Sequence, residues 1–214
     1  MIYIYCAGNY SAEIFDLIIR LGFNQSNIAY IDDTKTFQDE LSYEGKIYSF
    51  EKFIDIWNKE DQITIANGNP KVKYKIYNRL LDNDIKPAVL IDKTSIISQS
   101  AIYEEGLIVM PYCSISSFTE LSYNVTVNYN SNIGHHTKIG SNTFISSMVN
   151  IGGGVNIGSR VFIGMGAQIK EGVSIGDNSI VAMGSVVHKN IPAGLIAMGN
   201  PARAFLKNDK KTIF

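Results

Sequence analysis

From Ile97 onward the chain keeps a period of six. Steps of six from Ile97 reach Tyr103, Val109, Ile115, Leu121, Val127, Ile133 and so on to Val187, and fifteen of these sixteen positions are aliphatic. Two residues before each stands a small or β-branched residue, Leu107 excepted. Three residues after each, ten of the sixteen positions are Gly or Asn, which tolerate left-handed backbone best. No helix has that period. The pattern predicts a parallel β-helix with the aliphatic column pointing inward and Gly and Asn at the corners. Three hexads close one coil, so a residue's neighbour one coil up lies about 18 places on. Sixteen hexads then build a little over five coils, a stack roughly 25 Å tall.

The first ninety residues follow another rule, with short apolar runs alternating with amphipathic stretches. Strands are expected at Ile2–Tyr5, Asn27–Ile31, Gln62–Ala66 and Ala88–Ile91. Helices are expected at Ser11–Leu21 with Ser11 as N-cap, at Glu51–Trp57, and at Pro70–Leu81 with Pro near its first position. Strand–helix alternation predicts a Rossmann-like α/β unit with a parallel sheet. The division is therefore an α/β domain over 1–92, a β-helix over 93–203 and a tail over 204–214 that caps the helix or crosses to a neighbour.

A net charge of −1 gives no basic field for nucleic acid or membrane. No apolar stretch approaches the roughly 20 residues of a membrane span, and the N-terminus lacks the basic start of a secretory signal. Cys6 and Cys113 have no metal-like spacing, so reduced thiols and a cytoplasmic location are expected.

Three histidines carry the candidate chemistry. His188 lies nearly three coils above His135, too far to share a zinc ion within one chain, and no metal is expected. Above His135 the same column holds Gly153, Glu171 and Lys189. Gly153 sits within Gly152-Gly153-Gly154, where a ligand can approach backbone. A neutral imidazole one coil from a bare N–H is a general base beside an oxyanion donor. His136 falls in the corner column and reads either as a corner residue or as a second catalytic group. Met165 and Met183 stack on the outside and suit a subunit interface or a pantetheine arm. In the α/β unit, a ligand crevice is expected beyond the strand ends, near Gly8, Asn9, Asp32, Asp33, Gly68 and Asn69. There the acids would accept from a base or ribose, and the glycines would admit phosphate to backbone N–H.

An α/β unit followed by hexapeptide coils resembles the bacterial left-handed β-helix sugar acetyltransferase family, which includes bacillosamine and perosamine N-acetyltransferases and sialic-acid O-acetyltransferases. The stretch Asn128-Tyr-Asn-Ser-Asn-Ile-Gly-His135-His136-Thr-Lys-Ile-Gly140 is similar to the family's catalytic coil, and Gly199-Asn-Pro-Ala-Arg203 to its terminal motif. The resemblance implies His135 as base, Asn128 as a polar neighbour and Gly153 as oxyanion amide. It also implies a homotrimer binding acetyl-CoA between prisms, near Gly153, Gly164, Ala182, Gly184 and Arg203. The expected acceptor is a nucleotide-linked 4-amino-6-deoxy sugar, a surface-glycan or O-antigen precursor on UDP, dTDP or GDP. The alternatives are O-acetylation of sialic acid or another free sugar, and a non-catalytic scaffold. The chain departs from the family at His136, where an Asp or Glu is usual, and at Phe144, where a second His often lies. Its first turn, Cys6-Ala7-Gly8-Asn9-Tyr10-Ser11, also departs from the family's glycine-rich one.

Overall fold

The computed structural model describes residues 1–34 and 45–208. The N-terminal module is a four-stranded parallel sheet in the order β3-β2-β1-β4, with β1 at Ile2–Tyr5, β2 at Ile28–Ile31, β3 at Lys46–Tyr48 and β4 at Gln62–Ile65. The unbroken apolar runs of β1 and β2 suit strands buried on both faces. Helix α1 (Tyr10–Arg20) packs Ile14, Leu17 and Ile18 on one face against Ile2, Ile4 and Ile28. Helices α2 (Phe50–Ile56) and α3 (Pro70–Leu81) pack Phe53, Ile76 and Leu80 on the other against Tyr3, Ile63 and Ile65.

Local chemistry sets the helix starts. The Ser49 hydroxyl accepts from Lys52 N–H at the start of α2, and Asn69 Oδ1 accepts from Lys71 N–H at the start of α3, where Pro70 takes the position that needs no N–H. Helix α1 begins one residue earlier than expected. Asn9 precedes it, and Ser11 lies inside it, its hydroxyl donating to Gly8 O at 2.6 Å. The three-residue β3 carries too little alternation to be read from sequence.

The expected strand at Ala88–Ile91 divides between the modules. Ala88 N–H donates to Ile63 O of β4, but Leu90–Ile91 (β5) pairs in parallel with Ile108–Val109. The β-helix thus begins at Leu90, ahead of the expected boundary after Asp92. Both modules use short parallel apolar strands, so the apolar run alone does not mark the change.

The β-helix is a prism of three sheets, with eight, six and five strands. Partners are offset by 18 residues from Leu90 to Val187, as in Thr126↔Phe144, Asn132↔Asn150 and Lys138↔Asn156, and by 16 where the last coil closes, as in Ile180↔Ile196. The inward column, including Ile133, Ile151 and Ile169, is buried in one continuous core. Each such side chain contributes roughly 1.5–3 kcal/mol on burial. Every sixth residue from Gly106 to Gly184 has positive φ, so the expected corner column does turn the chain, except at its ends, Ser100 and Asn190.

The strand Leu195–Met198 extends the eight-stranded face, and Arg203–Lys207 returns antiparallel on it. The segment expected as a tail from 204 therefore starts as part of that sheet; residues 209–214 lie outside the described residues. The same face docks the N-terminal module. Leu90 and Ile108 join the α1 core, the buried Lys73 amine of α3 donates to Thr126 Oγ1, and Tyr77 stacks on Tyr123 at 4.5 Å. Arg20 at the end of α1 closes on the buried carboxylate of Asp92 at 2.5 Å. Among the described residues no helix is long and apolar enough to cross a membrane.

Candidate active site

His135 stands at the corner between the six- and five-stranded faces. Gly134 makes the corner possible: a Cβ there would fall 2.6 Å from the backbone of Gly152 and Gly153. One coil up, a Cβ at Gly153 would fall 2.6 Å from both Cε1 and Nε2 of His135. The imidazole edge therefore lies flat over bare glycine backbone, as the 18-residue column requires.

The amide at this corner position stands outside the sheet ladder. At Tyr123 it donates to Glu104 Oε2 at 2.8 Å, at Tyr129 to Asn128 Oδ1 at 3.0 Å, and at Ser159 to Asp177 Oδ1 at 2.9 Å. At Gly153, as at Ser141, Ser147 and Met165, it has no acceptor among the described residues, while the Gly153 carbonyl takes Gly172 N–H and the His135 carbonyl takes Gly154 N–H. An exposed imidazole nitrogen thus sits beside an uncommitted N–H. His136 has a left-handed backbone, φ 57°, and its N–H donates to Ser117 O. Its Nδ1 lies 3.1 Å from His135 Nδ1, and its ring packs over Phe118 at 5.0 Å.

A second feature opens where the N-terminal module meets the eight-stranded face. A cavity of about 640 Å³ is bounded by Tyr10 and Gly68 on one side, and by Phe144, Phe162, Ile180 and Ile196 on the other. Phe144 and Phe162 stack in register at 5.8 Å, and Tyr10 meets Phe144 edge-on. Phe162 and Ile180 belong to no motif of their own, although stepping by 18 from Phe144 along the outward column reaches both. Burial pushes the Tyr10 phenol well above its ordinary pKa, and its hydroxyl has no partner among the described residues.

The crevice residues separate by role. Gly8 is open, and Gly68 faces Phe144 at an ordinary contact distance, 3.6 Å from a built Cβ. The acids are occupied by their own chain. Asp32 Oδ2 accepts from Ala7 N–H, and its Oδ1 accepts from Thr34 N–H and hydroxyl. Asp33 accepts from Phe50 N–H at the start of α2 and pairs with Arg79 of α3, whose guanidinium also donates to the Tyr5 hydroxyl and lies 3.8 Å over Phe50. Partial burial raises the Asp33 carboxyl, but the Phe50 amide and Arg79 outweigh it and hold it below the usual range. Asp33 is therefore placed as a brace between two helices rather than an open ligand, and Asn69 as the cap of α3. Asn9 makes no capping hydrogen bond from its side chain. Burial raises the Cys6 thiol to about 11, leaving it un-ionised at neutral pH.

Within one chain the β-helix residues lie on two corners. His135, His136 and Gly153 share one. Asn128, Gly164, Ala182 and Gly184 line the next, with Met165 and Met183 exposed beside the cavity, and the six-stranded face lies between the two corners. Arg203 begins the last strand of the eight-stranded face. Among the described residues no three His, Cys, Asp or Glu side chains converge as a metal set.

Two protein families match the chain: the PglD N-terminal domain over residues 1–80, and the bacterial transferase hexapeptide (six repeats) over residues 154–189. Among solved structures, WeeI from Acinetobacter baumannii AYE is 26% identical, with 96% of this chain and 99% of that one covered and a TM-score of 0.89. A mutant of perosamine N-acetyltransferase from Caulobacter crescentus, in complex with CoA and GDP-perosamine, is 21% identical over 95% of this chain and 96% of that one, with a TM-score of 0.88. The acetyltransferase domain of PglB from Neisseria gonorrhoeae FA1090, in complex with acetyl coenzyme A, is 24% identical over 95% and 98%, with a TM-score of 0.87.

Proposed function

We propose that this chain, which belongs to the bacterial left-handed β-helix sugar acetyltransferase family, transfers the acetyl group of acetyl-CoA to the amine of a nucleotide-linked 4-amino-6-deoxy sugar. One observation carries the reading: His135 Nε2 lies over Gly153, whose N–H is uncommitted. Those are the two groups that acyl transfer to an amine needs, a base for the proton and a donor for the oxygen. The structures in complex with CoA, acetyl-CoA and GDP-perosamine lend it support.

His135 Nε2 takes the proton that the amine nitrogen loses as it bonds to the thioester carbonyl carbon. Gly153 N–H donates to the carbonyl oxygen as negative charge develops on it. When the carbon–sulfur bond breaks, His135 returns the proton to the departing sulfur, so that amide and CoA thiol leave a neutral imidazole behind. Nitrogen is favoured over a sugar hydroxyl because a neutral amine needs only mild base help, and no carboxylate is paired with either histidine among the described residues.

The site is completed by a second chain. The corner with His135 and Gly153 on one prism faces the neighbour's corner with Asn128, Gly164, Ala182 and Gly184, in a closed trimer with acetyl-CoA in the groove between prisms and Arg203 near its nucleotide end. The nucleotide lies near Gly8 and Gly68, and the sugar's apolar edge packs towards Phe144. The acceptor is a cytoplasmic precursor of a surface glycan.

Acetyl-CoA consumption against a panel of UDP-, dTDP- and GDP-linked 4-amino-4,6-dideoxy sugars, with free sialic acid alongside, tests this reading. Turnover on the nucleotide-linked amines is expected, from a protein that sediments as a trimer. Turnover on sialic acid alone would replace it with the O-acetyltransferase, and no turnover on any acceptor would remove it.

A further inference from the structure

We propose that His136, seated on the Phe118 ring, is a positioning residue that fixes the tautomer of His135 by accepting a hydrogen bond from its Nδ1–H. The catalytic consequence rests on the acetyl-transfer reading; the tautomer does not. Nε2 of His135 is the ring nitrogen nearer Gly153, 2.6 Å from a Cβ built there against 3.0 Å for Nδ1, and Nδ1 faces His136, so Nε2 must be bare to act as a base there. The single proton of a neutral imidazole then belongs on Nδ1, and which nitrogen keeps it is decided by the hydrogen bond the other makes. Among the described residues, the group within reach of His135 Nδ1 is His136 Nδ1, at 3.1 Å.

Two nitrogens facing each other need one proton between them. With His136 protonated on Nε2, its Nδ1 presents a lone pair and the pair of rings is neutral. Their near-perpendicular arrangement, 85° between planes, puts an edge nitrogen of one ring against the other. His136 is itself held in place. Its left-handed corner fixes the Cα–Cβ direction, its backbone N–H is tied to Ser117 O, and Phe118, one coil below, lies under its ring at 34°.

Phe118 shares its setting with Tyr112 and Met148 at other corners. It is exposed, and it occupies a positive-φ corner, where a bulky residue is uncommon. As a platform under His136 it has a use. The pair of aromatic rings thus does here what a carboxylate would do by charge.

Ring nitrogen shifts in a long-range ¹⁵N–¹H correlation spectrum of the full chain, followed over a pH series to the neutral rings, read the tautomers directly. The expected result is His135 protonated on Nδ1 and His136 on Nε2. His136→Phe keeps a ring on Phe118 and removes the acceptor. The His135 proton should then move to Nε2, and kcat should fall about ten- to a hundred-fold, the loss seen when a metal-ligating histidine loses its orienting partner, with the KM for acetyl-CoA little changed. His136→Glu, which restores an acceptor, should restore the Nδ1–H tautomer and much of kcat. A wild-type His135 protonated on Nε2, or a tautomer indifferent to His136→Phe, would overturn the proposal. Absence of acetyl transfer in the wild type would instead remove the proposed reaction, leaving the tautomer to be judged by its own spectrum.

Discussion

Nε2 of His135 and the backbone of Gly153 are so close that a Cβ on residue 153 would sit 2.6 Å from the ring nitrogen. The closeness follows from the coil repeat, which stacks the two residues on one corner. A single missing side chain thus brings together the two groups proposed as base and oxyanion donor.

Gly153→Ala therefore tests the site with the least chemistry changed. Gly153 does not have the left-handed backbone that penalises alanine, so the fold should accept the methyl. The imidazole must then swing away. Turnover is expected to fall by about 10²-fold or more, as a positioned general base is worth about 10²–10⁴, with the melting temperature nearly unmoved. Steady-state kinetics and a thermal melt check both halves, and a melt that collapses would mean that the corner itself had failed.

His135→Ala removes the proposed proton acceptor and leaves the corner amide in place. Turnover should drop by about 10²–10⁴, the usual worth of a general base, while CoA binding by calorimetry stays close to that of the wild type. A variant that turns over normally would take the base assignment away.

Lys73 gives a pH dependence with a definite sign. Burial lowers its ammonium from the ordinary value to about 7. In the unfolded chain the amine holds its proton up to about pH 10.4. Between these values the unfolded state binds the extra proton, so stability rises with pH, by up to about 1.4 kcal/mol per unit. Below about 7 both states are protonated and the cost of burying the charge is fully present. Lys73→Met should be the more stable protein below pH 7, and its lead over the wild type should shrink as pH rises towards 10. A constant difference in denaturant melts across pH would count against the buried amine.

Asp33 is tied to Phe50 N–H and to Arg79, so its removal should loosen α2 against α3. Asp33→Ala is expected to lower the melting temperature, and Arg79→Ala should lower it similarly. If Asp33→Ala left the melt unchanged and raised only the acceptor KM, the carboxylate would be a ligand for the nucleotide.

The sequence by itself determined the β-helix and much of the His135 corner. A six-residue period repeats one local geometry, so the neighbours of any residue along a column follow from arithmetic on its number. Ile133 inward, His136 at a left-handed corner and His135 over Gly153 all come from that lattice. Helix α3 was equally legible, because Asn69 and Pro70 mark its start. Contacts that cross between modules were not legible. Asp33 meets Arg79, Lys73 meets Thr126 and Arg20 meets Asp92 only because two units with different periods are docked face to face. The same holds for Leu90–Ile91, an apolar pair that either sheet would accept. Only the tertiary structure decided these. A period fixes which residues of one lattice are adjacent, while partners across two lattices depend on the docking, which no residue spacing encodes.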